Sequence, residues 1–362
     1  MHKVTIGIDF GSCTCSVGIY RDGKLELFKN EVGSETTPSY VAFTDQGMII
    51  GEAAKEQRST NPENTIYATK RLIGIDHQTF VEEIGKLHLP LKVKRSENGE
   101  SQIEVKCEGK LKIVTPLQIT SILLSEMKKI ADKNLQQRVE RDEVAHSAVI
   151  SVPAHFNSLQ RQAVIQAAED AGFEAVHLIN EPTATAISYS RQLENVNTRP
   201  VLIADFGGGF FSVTKATVSS KSVNISLSYC ENIGGLDSDS KFCETFSRAH
   251  QEFSTKANFQ SQDVIFTGNN WHQIQLQDIF KREFSINDSS QKMRNSRYLK
   301  QSVVEGAAIY GAYLSETLAD SFTLEEIEHR TVFLLEKNTA SSSQNIKIPK
   351  RTDENKDGLK NE

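Results

Sequence analysis

Hydrophobic and polar positions along this chain change period repeatedly, and each change marks an element. Apolar, β-branched runs at 4–9 and 15–20 predict two strands, joined by an Asp22-Gly23 hairpin turn to a third at 25–28. Residues 36–43 and 48–51 read as further strands. Residues 53–59 and 64–73 read as helices, the second carrying Lys70 and Arg71. Weak alternation at 102–107 and 111–114 suggests a small mixed subdomain within 80–114. Thr115-Pro116 is a helix start, a cap followed by a first-turn proline. Ile119, Ile122, Leu123, Met127 and Ile130 then recur at helical spacing.

A strongly apolar strand at 144–152 ends at Pro153. Asn157 with Gln160 three residues on opens another helix, which Gly172 closes. A strand at 176–179 leads into a helix beginning at Glu181-Pro182. Strands at 201–205, 211–218 and 223–230 follow. One phrase occurs twice: Ile6-Gly7-Ile8-Asp9-Phe10-Gly11 returns as Leu202-Ile203-Ala204-Asp205-Phe206-Gly207. Each copy runs from strand to carboxylate to glycine turn to second strand. Glycines let backbone N–H groups approach phosphate oxygens, and the Asp can hold Mg²⁺ through water. The repetition predicts an α/β protein, a duplicated fold whose two lobes grip one nucleotide.

At 362 residues the chain is long enough for two core-bearing domains. Its hydrophobic content of 38% and charged content of 24% fit a globular protein. A net charge of −6 without a concentrated basic face argues against nucleic acid as a partner. Cys13, Cys15, Cys107, Cys230 and Cys243 form no C-x-x-C pair and read as reduced thiols, with Cys13 and Cys15 on one face of one strand. The N-terminus enters a strand directly, and no segment reads as a membrane span. The expected location is cytoplasmic, with the nucleus as a second compartment.

Six motifs stand in a fixed order: Ile8-Asp9-Phe10-Gly11-Ser12, Asn30-Glu31 with Thr37-Pro38-Ser39, Lys70-Arg71-Leu72-Ile73-Gly74, Val152-Pro153-Ala154-His155-Phe156-Asn157, Ile179-Asn180-Glu181-Pro182-Thr183-Ala184, and Asp205-Phe206-Gly207-Gly208-Gly209. Together they resemble the nucleotide-binding domain of the heat shock protein 70 chaperones, within the actin-like ATPase superfamily. The match is dense from residue 4 to about 236 and thin beyond. Alone, an Asp at a strand end only caps a turn, and a Lys beside an Arg is usually solvated. The co-occurrence of the motifs favours function instead.

The resemblance implies ATP or ADP and Mg²⁺ as cofactors, in an actin-like fold of the ribonuclease H-like duplicated type. It implies that Asp9 and Asp205 hold hydrated Mg²⁺, that Lys70 contacts the γ-phosphate, and that Glu181 helps place metal and water. Gly11, Ser12 and Cys13 would form one phosphate loop, and Gly207, Gly208 and Gly209 the other. Gly268 and Asn269 belong to a reduced adenosine turn. Pro153 and Arg161 match positions that relay nucleotide state. Implied partners are a J-domain protein, a nucleotide exchange factor or another chaperone.

Departures from the pattern matter as much. Phe210 and Ser212 stand where the family has Thr and Asp, and Cys13 stands where it has a second threonine. Between Gly234 and Asp263, most of the upper subdomain of the second lobe is missing relative to the family. Trp271 and His272 replace Arg and Ile, with Trp271 read as filling the exposed core, and Lys300 replaces an acidic residue. The expected division is 1–190 first lobe, 191–318 reduced second lobe, 319–337 short extension with a strand at 331–336, and 338–362 disordered tail, with no peptide-binding domain.

Two functions follow from different features. The retained acids, Lys70 and glycines support an ATP-binding protein assisting folding with co-chaperones. Phe210, Ser212 and the shortened second lobe support a degenerate pseudo-ATPase acting as a binding or regulatory module, with little or no steady-state turnover. A sugar kinase on the same fold fits less well, because no sugar pocket with a catalytic base is recognisable.

Overall fold

Both lobes grow from the same hairpin, built on the strand that carries the aspartate. The computed structural model describes residues 2–137, 143–194, 197–237, 242–256, 263–269, 274–284, 292–294, 301–318, 322–327 and 343–347. In the first lobe, His2–Phe10 pairs antiparallel with Thr14–Arg21 and parallel with Glu143–Val152. In the second, Arg199–Phe206 pairs antiparallel with Phe211–Ser219 and parallel with Asp263–Thr267. The registers agree as well: Asp9 lies opposite Ser16, and Asp205 opposite Ser212. The repeated phrase is therefore a repeated strand order and register.

The first sheet continues outward to Ala175–Asn180 on one side and Lys24–Leu27 on the other. At the hairpin into Lys24–Leu27, Asp22 and Gly23 both take positive φ, 52° and 77°, as the strand twist requires. The second sheet runs from Lys292–Arg294 through Asp263–Thr267 and the central hairpin to Ser222–Glu231, Thr323–Ile327 and Ser343–Lys347.

Two helices stand between the sheets. Ser302–Leu314 packs on the first sheet, Glu181–Ser190 on the second, and the helices on each other. Their approach needs small residues: a Cβ at Gly306 would lie 1.8 Å from the Ala184 carbonyl oxygen, and one at Gly7 2.3 Å from the Ala308 nitrogen. The resulting apolar core draws on both lobes, including Val149, Ile203, Ile265, Ala307 and Ile309.

The other face of the second sheet is closed by aromatic side chains. Phe242, Phe246 and Phe253 recur along one face of Phe242–Lys256, and Phe280 comes from Ile274–Glu283. Phe242 packs edge-on to Phe206 at 4.8 Å, and Phe246 lies 4.8 Å from Phe211. Among the described residues, Phe242–Lys256 is the one element between Asp237 and Asp263. It covers the sheet where the sequence reading left an exposed core. Trp271, His272 and Lys300 lie outside the described residues, as does the strand expected at 331–336.

Three expectations are corrected. The helix expected at 64–73 is a strand, Thr65–Tyr67, followed by a single 3₁₀ turn, Thr69–Arg71. Thr65, Ile66 and Tyr67 are strong strand formers, and pairing with Tyr40–Thr44 buries all three. Ala68, at φ 56°, turns the chain between them. The strand expected at 36–43 is interrupted at Ser39, whose hydroxyl donates to the Gly11 carbonyl at 2.7 Å. Within the expected disordered tail, Ser343–Lys347 pairs antiparallel with Thr323–Ile327. Its polar composition signals solvation, but an open sheet edge still offers it backbone hydrogen bonds. Among the described residues no helix is long and apolar enough to cross a membrane.

A buried ion cluster ties the lobes together. Arg71 donates from Nε to Glu83 at 2.8 Å and from Nη1 to Asp237 at 2.7 Å. Glu83 belongs to His77–Lys86 of the first lobe, and Asp237 to the second lobe. Replacing the guanidinium with an apolar side chain strands two buried carboxylates. Arg71→Met is expected to cost about 3–5 kcal/mol of stability, read from denaturant unfolding.

Candidate functional site

The first loop begins where His2–Phe10 ends. Ser151, on the parallel neighbour strand, donates its hydroxyl to Asp9 Oδ1 at 3.1 Å and accepts from the Phe10 N–H at 3.2 Å. Ser39 braces the turn, donating from its hydroxyl to Gly11 and from its N–H to the Cys13 carbonyl at 2.8 Å. Cys13 sits in this turn and Cys15 in the strand beyond, so the two do not share one strand as expected.

The second loop follows Asp205. The Gly207 N–H donates to the Phe210 carbonyl at 3.0 Å, closing the turn. A second turn at 232–237 supports it: Gly235 and Leu236 donate to the carbonyls of Gly207 and Gly208 at 3.2 and 2.9 Å. The two glycine loops meet closely. A Cβ at Gly208 would lie 2.1 Å from Cys13 Sγ, and one at Gly209 2.4 Å from Ser12 Oγ. Side chains at these positions would wedge the lobes apart.

Lys70 enters from the 3₁₀ turn, 1% exposed, and pairs with Glu181, the first residue of Glu181–Ser190. Its ammonium also lies 5.5 Å from the Phe10 ring centroid. Burial pushes the Asp9 carboxyl up to about 6, with Lys70 opposing and Glu181 reinforcing that rise. Asp205 is likewise held well above the ordinary carboxylate range, first by burial and then by Glu181 and Asp9. Burial raises the Cys13 thiol too, so it is not an activated nucleophile.

Asp9, Gly11, Ser12, Cys13, Lys70, Glu181, Asp205, Gly207, Gly208, Gly209, Gly268 and Asn269 all line one cleft of about 150 Å³. The structure thus brings together every cleft residue expected from sequence. Thr14, Phe210, Gly235, Thr267 and Val303 line it as well. Thr267 was legible as the neighbour of Gly268. Val303, from the start of Ser302–Leu314, carried no local signal.

Pro153 and Arg161 lie outside the cleft. Pro153 ends the Glu143–Val152 strand. Arg161 donates to the Phe156 carbonyl at 2.9 Å and to Asn180 Oδ1 at 2.6 Å. Asn180 donates in turn to Glu326 at 2.6 Å, which also accepts from Thr183 at 2.5 Å. Arg161 therefore orients the residue next to Glu181.

The donor set fits a hydrated divalent ion with phosphate. Three carboxylates, Asp9, Glu181 and Asp205, face the single ammonium of Lys70, and such an excess of buried negative charge calls for a cation. Among the described residues no three His, Cys, Asp or Glu side chains converge as direct ligands. Mg²⁺ keeps several of its waters and takes only one or two carboxylates, so Asp9 and Asp205 would suffice to hold it. Among the described residues Ser12 Oγ, buried beside the loops, has no hydrogen-bond partner, as a group awaiting a ligand would.

A family model described as Hsp70 protein matches residues 5–273. A heat shock 70 kDa protein of Neurospora crassa is 38% identical over 258 residues, 70% of this chain and 39% of that protein. Heat shock 70 kDa protein 2 of Paracoccidioides lutzii is 39% identical over 252 residues, 68% of this chain and 38% of its own length. A ribosome-associated molecular chaperone of Zygosaccharomyces rouxii is 38% identical over 253 residues, 69% of this chain and 40% of its own. The chain spans about two fifths of the length of these relatives. With its two α/β lobes in the actin-like arrangement, the chain belongs to the Hsp70 family.

Proposed function

We propose that this chain binds ATP or ADP with Mg²⁺ between its lobes and serves protein folding as a nucleotide-responsive member of a chaperone machinery. The observation that carries this reading is the convergence of Asp9, Lys70, Glu181, Asp205 and both glycine loops on one cleft. In it, Asp9 and Asp205 hold the hydrated ion, and backbone N–H groups of the loops, with Ser12, hold phosphate oxygens. Bound Mg²⁺ supplies the positive charge that lets phosphate sit among carboxylates. Lys70, oriented by Glu181, takes the terminal phosphate and positions water. Gly268 and Asn269 border the nucleoside side. Pro153 and Arg161 transmit the state of the cleft through Asn180. J-domain proteins, nucleotide exchange factors and other chaperones, including ribosome-bound ones, are the candidate partners.

A second reading, a pseudo-ATPase that binds nucleotide or protein without turnover, is favoured by one observation. Phe210 lines the cleft without the hydroxyl that the family pattern has there. Turnover is therefore expected to be slow or absent even where binding is retained.

Calorimetric titration with ATP or ADP and Mg²⁺ tests the reading. Binding on the order of micromolar, weakened about tenfold or more by Asp205→Asn and by omission of Mg²⁺, is expected. Absence of heat from a folded sample overturns it. Robust Mg²⁺-dependent hydrolysis abolished by Lys70→Ala would overturn the expectation of low turnover.

The buried acids also make the ligand-free fold pH-dependent. The folded state holds the Asp9 proton more tightly than the unfolded chain does, with a carboxyl at about 6 rather than 3.8. That contribution is present at about pH 4 and lost as pH rises through about 6. Asp9→Asn removes the burial penalty of the ionised form. It is expected to raise ligand-free stability at neutral pH by about 1–3 kcal/mol while weakening Mg²⁺-dependent binding. Thermal unfolding of the two proteins across this pH range checks the crossover.

A further inference from the structure

Phe210 belongs to the second lobe by sequence but to the first lobe's core by packing. Its backbone closes the second glycine turn, through its carbonyl and the Gly207 N–H. Its ring, 8% exposed, joins the first-lobe hydrophobic cluster. There it meets Phe156 edge-on, with centroids 6.0 Å apart at 81°, and lies 5.3 Å from the His155 ring. His155 Nε2 pairs with Asn232 Oδ1 of the second lobe at 2.7 Å. Leu236 packs against the same first-lobe cluster. Phe210 therefore lines the cleft, and its ring spans the two lobes beside the glycine loops.

The cleft cannot widen without moving this ring. Gly208 and Gly209, which precede Phe210, leave the loop with little stiffness of its own. The seated ring and the 232–237 turn together fix it. We infer that Phe210 is a latch across the cleft: it holds the glycine loops together before ligand arrives, and so sets how fast ligand enters and leaves. The second part rests on the nucleotide reading above; the first does not.

Hydrogen exchange of the full, ligand-free chain tests the latch itself. In Phe210→Ala, amides within 207–212 and 153–157 are expected to exchange about tenfold faster or more. Amides in Pro116–Gln136 and Arg199–Phe206 should keep their protection. Should the alanine variant fail to fold, Phe210→Leu and Phe156→Leu keep apolar bulk while removing the edge contact, and both should loosen the same two segments. Unchanged exchange in both segments overturns the latch.

Stopped-flow mixing with N-methylanthraniloyl-ADP and Mg²⁺ tests the consequence. Association and dissociation rates are both expected to rise about tenfold in the variants. Loosened loops with unchanged rates would overturn the control of entry. A wild-type chain that does not bind the probe would instead sink the nucleotide reading, leaving the latch to be judged by exchange alone.

Discussion

One guanidinium links the parts of the cleft. Arg71 follows Lys70 in the same 3₁₀ turn, so whatever fixes Arg71 also fixes the ammonium beside it. Arg71 is held by Glu83 within its own lobe and by Asp237 across the divide. Asp237 in turn accepts from the Gly234 N–H at 2.8 Å, shaping the turn that supports Gly207 and Gly208. A chain of short polar contacts thus runs from the lysine turn of one lobe to the glycine loop of the other. Buried charges of this kind contribute little net stability but penalise alternatives strongly. Their value here is register: both lobes are held in the one arrangement that lets two backbones come within a side chain's width.

The cleft itself is built against its own electrostatics. Three acids share a buried space with one lysine, and the fold answers by raising the proton affinity of Asp9 and Asp205. Sites arranged this way sacrifice stability for chemistry. The surrounding packing compensates, with phenylalanines crowding the outer face of the second sheet and the Phe210 ring seated in the first lobe.

Much of this was legible in the sequence because it is local. A strand that ends in Asp and Gly specifies its own turn, and two copies specify the symmetry of the whole. The cap at Thr115 and the capping box at Asn157 with Gln160 appear as read, and Gln118 completes a second box at Thr115. What escaped was non-local. Thr65, Ile66 and Tyr67 favour a strand, but a run of three becomes one only because Tyr40–Thr44 is there to pair with it. The bridging role of Arg71 had no local signal because its partners lie 12 and 166 positions away. Phe210 was visible as a departure from pattern, yet nothing adjacent indicated that its ring rests on Phe156. The helical spacing of Phe242, Phe246 and Phe253 was available as a signal of a packed face on the shortened lobe.

The seating of Ser302–Leu314 has a mechanical side. At Gly7 with Ala308 and at Gly306 with Ala184, main chain rests on main chain, between side-chain contacts of Thr185 with Ser302 and of Ser188 with Glu305. Surfaces of that kind hold together through close van der Waals approach, and a single added methyl group would prise them apart. Near the glycine loops the lobes mesh through Arg71, Asn232 and Leu236. The lobes are therefore joined at one end by what side-chain charges add and at the other by what two glycines leave out.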